Sequence, residues 1–163
     1  MRFALLGNHP DGLQMAKALV DSGRHELAAY CGPSIPWETT GIKANRTSGD
    51  MEEILADPAI DAVIVAGNSS QRSLQLRRAL QSERHVLCVY PPDESPDSAY
   101  EAAMIQADTR HVLLPILLGA LHPSVRRLQT LLQTTKPSAG WLIQWDRECL
   151  SAVKAGNDSK AKI

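Results

Sequence analysis

Two rhythms of apolar positions alternate along the chain. Short unbroken apolar runs predict buried strands at 2–6, 26–31, 61–66, 85–89 and 110–118. Between them, apolar residues recur three or four apart, the period of one helical face. Leu13, Ala16, Leu19 and Val20 mark a helix over 12–22, stopped by Ser22 and Gly23. Asp50, with Glu53 three residues on, has capping-box spacing for a short helix that carries Ile54 and Leu55. A further helix opens at 67–70, with Ser69-Ser70 as its cap, and carries Leu74, Leu76, Ala79 and Leu80. Ser95 begins a helix with Ala99, Ala102, Ala103 and Ile105 inward. Pro123 starts the last, through Val125, Leu128, Leu131 and Leu132. A weak third strand falls within 40–48, after a Gly/Pro-rich loop at 32–37.

Strands alternating with helices predict an α/β fold, a doubly wound parallel sheet with helices on both faces. The segment at 140–147 differs in kind, because Trp141 and Trp145 share one face of an isolated strand pattern. The expected organisation is a domain over 1–122, a helix-plus-strand extension over 123–150 and a polar tail over 151–163. The extension strand predicts pairing at a sheet edge or with another copy of the chain, making a dimer or larger homo-oligomer.

Composition narrows the partners. The 163 residues suit one domain, with 44% hydrophobic and 21% charged residues. A net charge of -1 argues against a nucleic-acid surface. No run approaches the ~20 apolar residues of a membrane span. The first residues form no signal peptide, so a cytoplasmic location is expected. Cys31 and Cys88 sit in strand-like runs as small buried hydrophobes, and Cys149 stands alone, so neither a disulfide framework nor a metal knuckle is expected. The five histidines (His9, His25, His85, His111 and His122) share no metal-ligand spacing. His85 and His111 begin strands and read as structural.

The candidate chemistry lies after the first strand. Gly7 and Gly12 occupy the outer positions of G-x-G-x-x-G, with His9 in the middle one. Gly7 would make the tight turn and Gly12 the close helix–strand contact. The absent glycine is the one that admits a pyrophosphate. Pro10 removes a donor from the helix N-terminus. Asp11 places a carboxylate there, which can cap the helix and would repel a phosphate. Arg72, Arg77 and Arg78 read as a solvated helix face, with Arg72 the one candidate for an anion contact.

These residues, together with His25-Glu26-Leu27, the phrase LADPAIDAV at 55–63, Arg84-His85-Val86-Leu87-Cys88, Pro91 and His122-Pro123, resemble the N-terminal domain of the Gfo/Idh/MocA oxidoreductases. The resemblance covers most of residues 1–147. It implies a Rossmann-like sheet in the order 3-2-1-4-5-6 that binds NAD or NADP, and a second domain that holds a sugar or polyol substrate. It would place cofactor contacts at Gly7, Asn8, His9, Pro10, Gly12, Gly32, Gly67, Asn68, Arg72 and Pro91, with Tyr90 and His122 at active-site positions. Tyr90 stands where the family has its catalytic lysine, and Gly32 where strand two carries the ribose-binding residue. Gly67 and Asn68 replace Thr-Pro. The substrate domain is expected to be missing. Three readings follow: an NAD(P)-binding domain without catalysis of its own, a non-catalytic homo-oligomeric module with a degenerate crevice, or a regulatory domain that binds another nucleotide or coenzyme A.

Overall fold

The computed structural model describes residues 1–134 except Pro36 and Glu94. The expected strand at 140–147 and the tail at 151–163 lie outside the described residues. Six strands form one parallel sheet: β1 (Arg2–Leu6), β2 (Glu26–Cys31), β3 (Arg46–Ser48), β4 (Ala62–Val65), β5 (His85–Val89) and β6 (Leu113–Ile116). Their order is β3-β2-β1-β4-β5-β6, the Rossmann-like order expected. The helices are α1 (Pro10–Asp21), the four-residue turn α2 (Trp37–Thr40), α3 (Met51–Leu55), α4 (Ser69–Gln81), α5 (Pro96–Ala107) and α6 (Pro123–Thr134). A 3-10 turn, Leu118–Leu121, precedes α6.

The period of two along each strand sorts the core into two layers. Ala4, Leu6, Val63, Val65, Val86 and Cys88 pack with Ile54, Leu55, Leu76, Leu80 and Ala102 of α3, α4 and α5. Phe3, Leu5, Leu27, Tyr30 and Ile64 pack on the other face with Ala16 of α1 and the loop residues Ile35 and Ile42. The sheet separates the two layers, and at the carboxyl ends of its neighbouring strands β1 and β4 the chain reverses direction across it. Ligand crevices of open α/β sheets lie at such a switch point.

Several local expectations change. α1 starts at Pro10 rather than at residue 12, since the fixed φ of proline suits the first helical position. Asp50 caps α3 through the Glu52 N–H, but Glu53 takes the Ser48 hydroxyl instead of closing a capping box. Leu74 is 55% exposed, and the buried stripe of α4 is Arg72, Leu76, Ala79 and Leu80. Ala103 also faces outward on α5. β6 is shorter than expected, carries Pro115 at the sheet edge and begins after His111. α6 has no buried residue: Val125, Leu128 and Leu132 are half-buried and Leu131 is exposed.

Candidate functional site

The turn from β1 into α1 is held by three backbone hydrogen bonds. Gly7 has φ +95°, and its N–H donates to the Cys31 carbonyl at 2.7 Å. A Cβ on Gly7 would strike the Ala66 carbonyl oxygen, and one on Gly12 would strike the Ala66 Cβ. Both glycines therefore act as expected, in turning and in packing. Ala66 is the surface they pack on, and it had not been singled out from the sequence. His9 donates its N–H to the Ala66 carbonyl at 2.9 Å and accepts the Leu13 N–H on its own carbonyl at 3.0 Å.

The helix cap is His9 and not Asp11. Its Nδ1 accepts the Asp11 N–H at 3.2 Å, which leaves the ring proton on Nε2 in the neutral imidazole. Of the amides that open α1, Pro10 has none, Asp11 serves His9 Nδ1 and Leu13 serves the His9 carbonyl. Only the buried Gly12 amide has no bond among the described residues. Helix N-termini hold phosphates through such free donors. Here the Asp11 and Leu13 amides are spent internally, beside the carboxylate of Asp11. Asn8 is exposed at the mouth of the turn.

At the end of β2, a Cβ on Gly32 would meet Tyr30 Oη at 2.6 Å. That hydroxyl donates to the Pro33 carbonyl at 2.5 Å, and the ring meets Trp37 edge-on at 5.0 Å between centroids. Burial, with a smaller contribution from the neighbouring Cys31, pushes the Tyr30 phenol up to about 12. The space for a ribose-binding side chain is thus taken by a neutral phenol. Sequence reading passed over Tyr30 because it lies within an ordinary strand pattern.

Beyond β4, Asn68 rather than Ser69-Ser70 caps α4. Its Oδ1 accepts the Gln71 N–H at 3.1 Å and the Ser70 hydroxyl at 2.8 Å. Gly67 is buried, and a Cβ there would strike Gln75 Oε1, a buried oxygen with no hydrogen-bond partner among the described residues. Arg72 is not on a solvated face. It is 5% exposed, donates from Nε and Nη2 to the Gly67 carbonyl at 3.2 and 3.0 Å, and from Nη1 to the Pro91 carbonyl at 2.5 Å. The guanidinium therefore joins the loops that follow β4 and β5. Its place four residues before Leu76 on the apolar stripe was the signal for burial.

Tyr90 is 51% exposed in the loop after β5 and precedes Pro91 through a cis peptide. The residue there is a phenol and not the primary amine of the family's lysine. His122 is exposed, and its Nδ1 accepts the Ser124 N–H at 3.3 Å, which makes it the cap of α6. Burial pushes the Cys88 thiol up to about 12, against a weaker downward pull from Arg72. Burial first and then Asp50 raise Cys31 as well. Neither thiol is activated. His85 Nδ1 accepts the Val112 N–H at 3.1 Å and its ring meets His111 edge-on. Among the described residues no group of three or more metal-binding side chains converges. No described helix is long and apolar enough to cross a membrane.

Comparison with known proteins agrees with this geometry. The family model described as "Oxidoreductase family, NAD-binding Rossmann fold" (GFO_IDH_MocA) matches residues 3–115. The chain belongs to this family. Inositol 2-dehydrogenase of Mycolicibacterium smegmatis is 29% identical over 93 residues, covering 56% of this chain and 27% of that protein. Biliverdin reductase from Synechocystis, solved with biliverdin and NADP+, superposes with TM-score 0.69 at 19% identity, covering 81% of this chain and 42% of that one. Myo-inositol 2-dehydrogenase from Lactobacillus plantarum gives 0.71 at 16%, covering 82% and 41%. At such identities the superpositions speak to the fold alone. The chain spans about a quarter of the length of the curated relative and about two-fifths of the solved ones. Measured against the family's cofactor, the scaffold of Gly7, Gly12 and Ala66 fits. The pyrophosphate grip does not, because the Asp11 and Leu13 amides of α1 are spent on His9, and the space beside position 32 is filled by Tyr30.

Proposed function

We propose that this chain is a non-catalytic Rossmann domain of the Gfo/Idh/MocA family, one that has kept the architecture of the dinucleotide site and lost its tight hold on NAD(P). The observation that carries the reading is the bond from the Asp11 amide to His9 Nδ1, which closes the anion-binding end of α1 from within. The exposed tyrosine at position 90 supports the absence of hydride chemistry by this chain alone. Calorimetric titration with NAD, NADH, NADP and coenzyme A tests it. Dissociation constants no tighter than about 1 mM are expected for the dinucleotides. Micromolar NAD binding, or turnover of polyols or sugars with added NAD(P), overturns it. Tight binding of coenzyme A alone would move the assignment to a regulatory nucleotide domain.

A second proposal concerns assembly. The half-buried stripe Val125, Leu128 and Leu132 of α6 supports self-association through the segment that begins there and runs on to residues 140–147. Light scattering is expected to report a dimer that dissociates on Trp141→Asp, and a monomeric wild type overturns it.

A further inference from the structure

The strand register carries one row of apolar side chains across the sheet. Leu5, Ile64, Leu87 and Leu114 lie opposite one another on β1, β4, β5 and β6. Leu5 and Ile64 are fully buried, Leu87 is half-buried and Leu114 is 50% exposed. Cover over the row therefore fails toward β6, and Val112, just before that strand, is 56% exposed. Phe3, Leu19 of α1, Leu87, Val112 and Leu114 line an apolar groove of about 300 Å3 at this end of the sheet. No described residue of α6 lines it. That helix rests on the turn Leu118–Leu121 and buries none of its own residues, so the described chain returns no packed helix to this part of its sheet. Among the described residues β6 has only β5 beside it, and its Pro115 offers no N–H to a further strand. What stays open is an apolar face more than a backbone edge.

Beyond α6 the chain carries Trp141, Ile143 and Trp145 at alternate positions, with Gln144 and Asp146 in the other phase. In an extended segment that spacing puts the three apolar residues on one face, which water disfavours and an apolar groove accepts. We infer that the groove between α1 and the amino half of β6 is the seat of the segment 141–145 of a second copy of this chain. The inference rests on the self-association proposed above and names the surface that receives it. Each copy brings this groove and this segment, so an exchange makes two identical contacts and the assembly closes as a dimer. A tryptophan buries roughly 150–250 Å2. Two from each copy, with the groove surface they cover, reach the order of the 1,200–2,000 Å2 that a stable interface buries.

The test uses the full chain and begins with light scattering of Leu114→Asp, a change in the groove at a half-exposed position. The dimer dissociation constant is expected to rise at least about thirtyfold, as for Trp141→Asp. Mixing the two variants is expected to restore dimers, because one contact of the pair, an intact groove with an intact segment, survives in the mixed species. A photo-crosslinking residue placed at position 114 gives a second readout in a mixture of 14N- and 15N-labelled chains. Crosslinked peptides that join position 114 of one label to 141–145 of the other are expected. A wild-type dimer that survives Leu114→Asp, a mixture that stays monomeric, or crosslinks within one label only overturns the inference and leaves self-association standing. A monomeric wild type removes both. If Leu114→Asp does not fold, the crosslinks decide alone.

Discussion

His9 Nδ1 accepts the Asp11 amide at 3.2 Å, so the residue at the middle position of the dinucleotide pattern closes the first turn of α1. His122 does the same for Ser124 at 3.3 Å, again immediately before a proline. Proline supplies the first helical φ, and the imidazole supplies the acceptor that serine or aspartate provides elsewhere. Replacing His9 by alanine removes the acceptor and is expected to cost about 1 kcal/mol of stability. Urea denaturation checks this through a lower midpoint at unchanged slope. An unaltered midpoint would show the bond to be dispensable.

Gly12 faces the Ala66 Cβ with no room for a methyl group. Gly12→Ala is expected to destabilise the fold by roughly 1–3 kcal/mol through overpacking. Ala66→Gly in the same chain vacates that space. The double variant should recover part of the loss, and a double-mutant cycle measures the coupling. Strict additivity would mean that the two residues do not meet.

The raised phenol of Tyr30 makes stability depend on alkaline pH. Its ordinary value is 10.0 and the folded value is about 12, so the native state keeps a proton that the unfolded chain loses. The contribution is fully present below pH 10 and is lost as pH rises from there to about 12. With allowance for solvent screening it amounts to at most about 2 kcal/mol. Stability profiles of the wild type and Tyr30→Phe are expected to converge across that window. Parallel profiles would show that the phenol does not titrate as its burial implies.

Two leucines on α4 provide an internal contrast. Leu76 is 3% exposed and Leu74 is 55% exposed. Leu76→Ala is expected to cost about 2–5 kcal/mol, and Leu74→Ala to stay within about 0.5 kcal/mol of wild type. Thermal unfolding of the two variants decides it, and similar losses would place the buried stripe of α4 elsewhere.

Much of the candidate site was legible along the chain, because the roles of Gly7 and Gly12 follow from backbone geometry at a strand–helix turn. Asp11 and Arg72 were misread for one reason. Each was judged by its own chemistry, whereas its role is set by a neighbour in space. Asp11 looked like a cap until the His9 ring reached its amide. Arg72 looked solvated until the Gly67 and Pro91 carbonyls converged on it from two loops. Tyr30 gave no sign of filling the space beside Gly32, since a side chain's reach past its own strand end has no period in the sequence.

The alternation of strands and helices and the parallel Rossmann-like sheet were legible in the order of residues alone. Those depend on local periodicity and on turn residues, which are written consecutively. Tertiary structure decided which donors in the crevice remain open. That depends on carbonyls, rings and amides brought together from β1, β2, β4 and β5, far apart in the chain. Hydrogen-bond satisfaction is a property of the assembled neighbourhood, so the closing of α1 by His9 and the buried charge of Arg72 could be read only there.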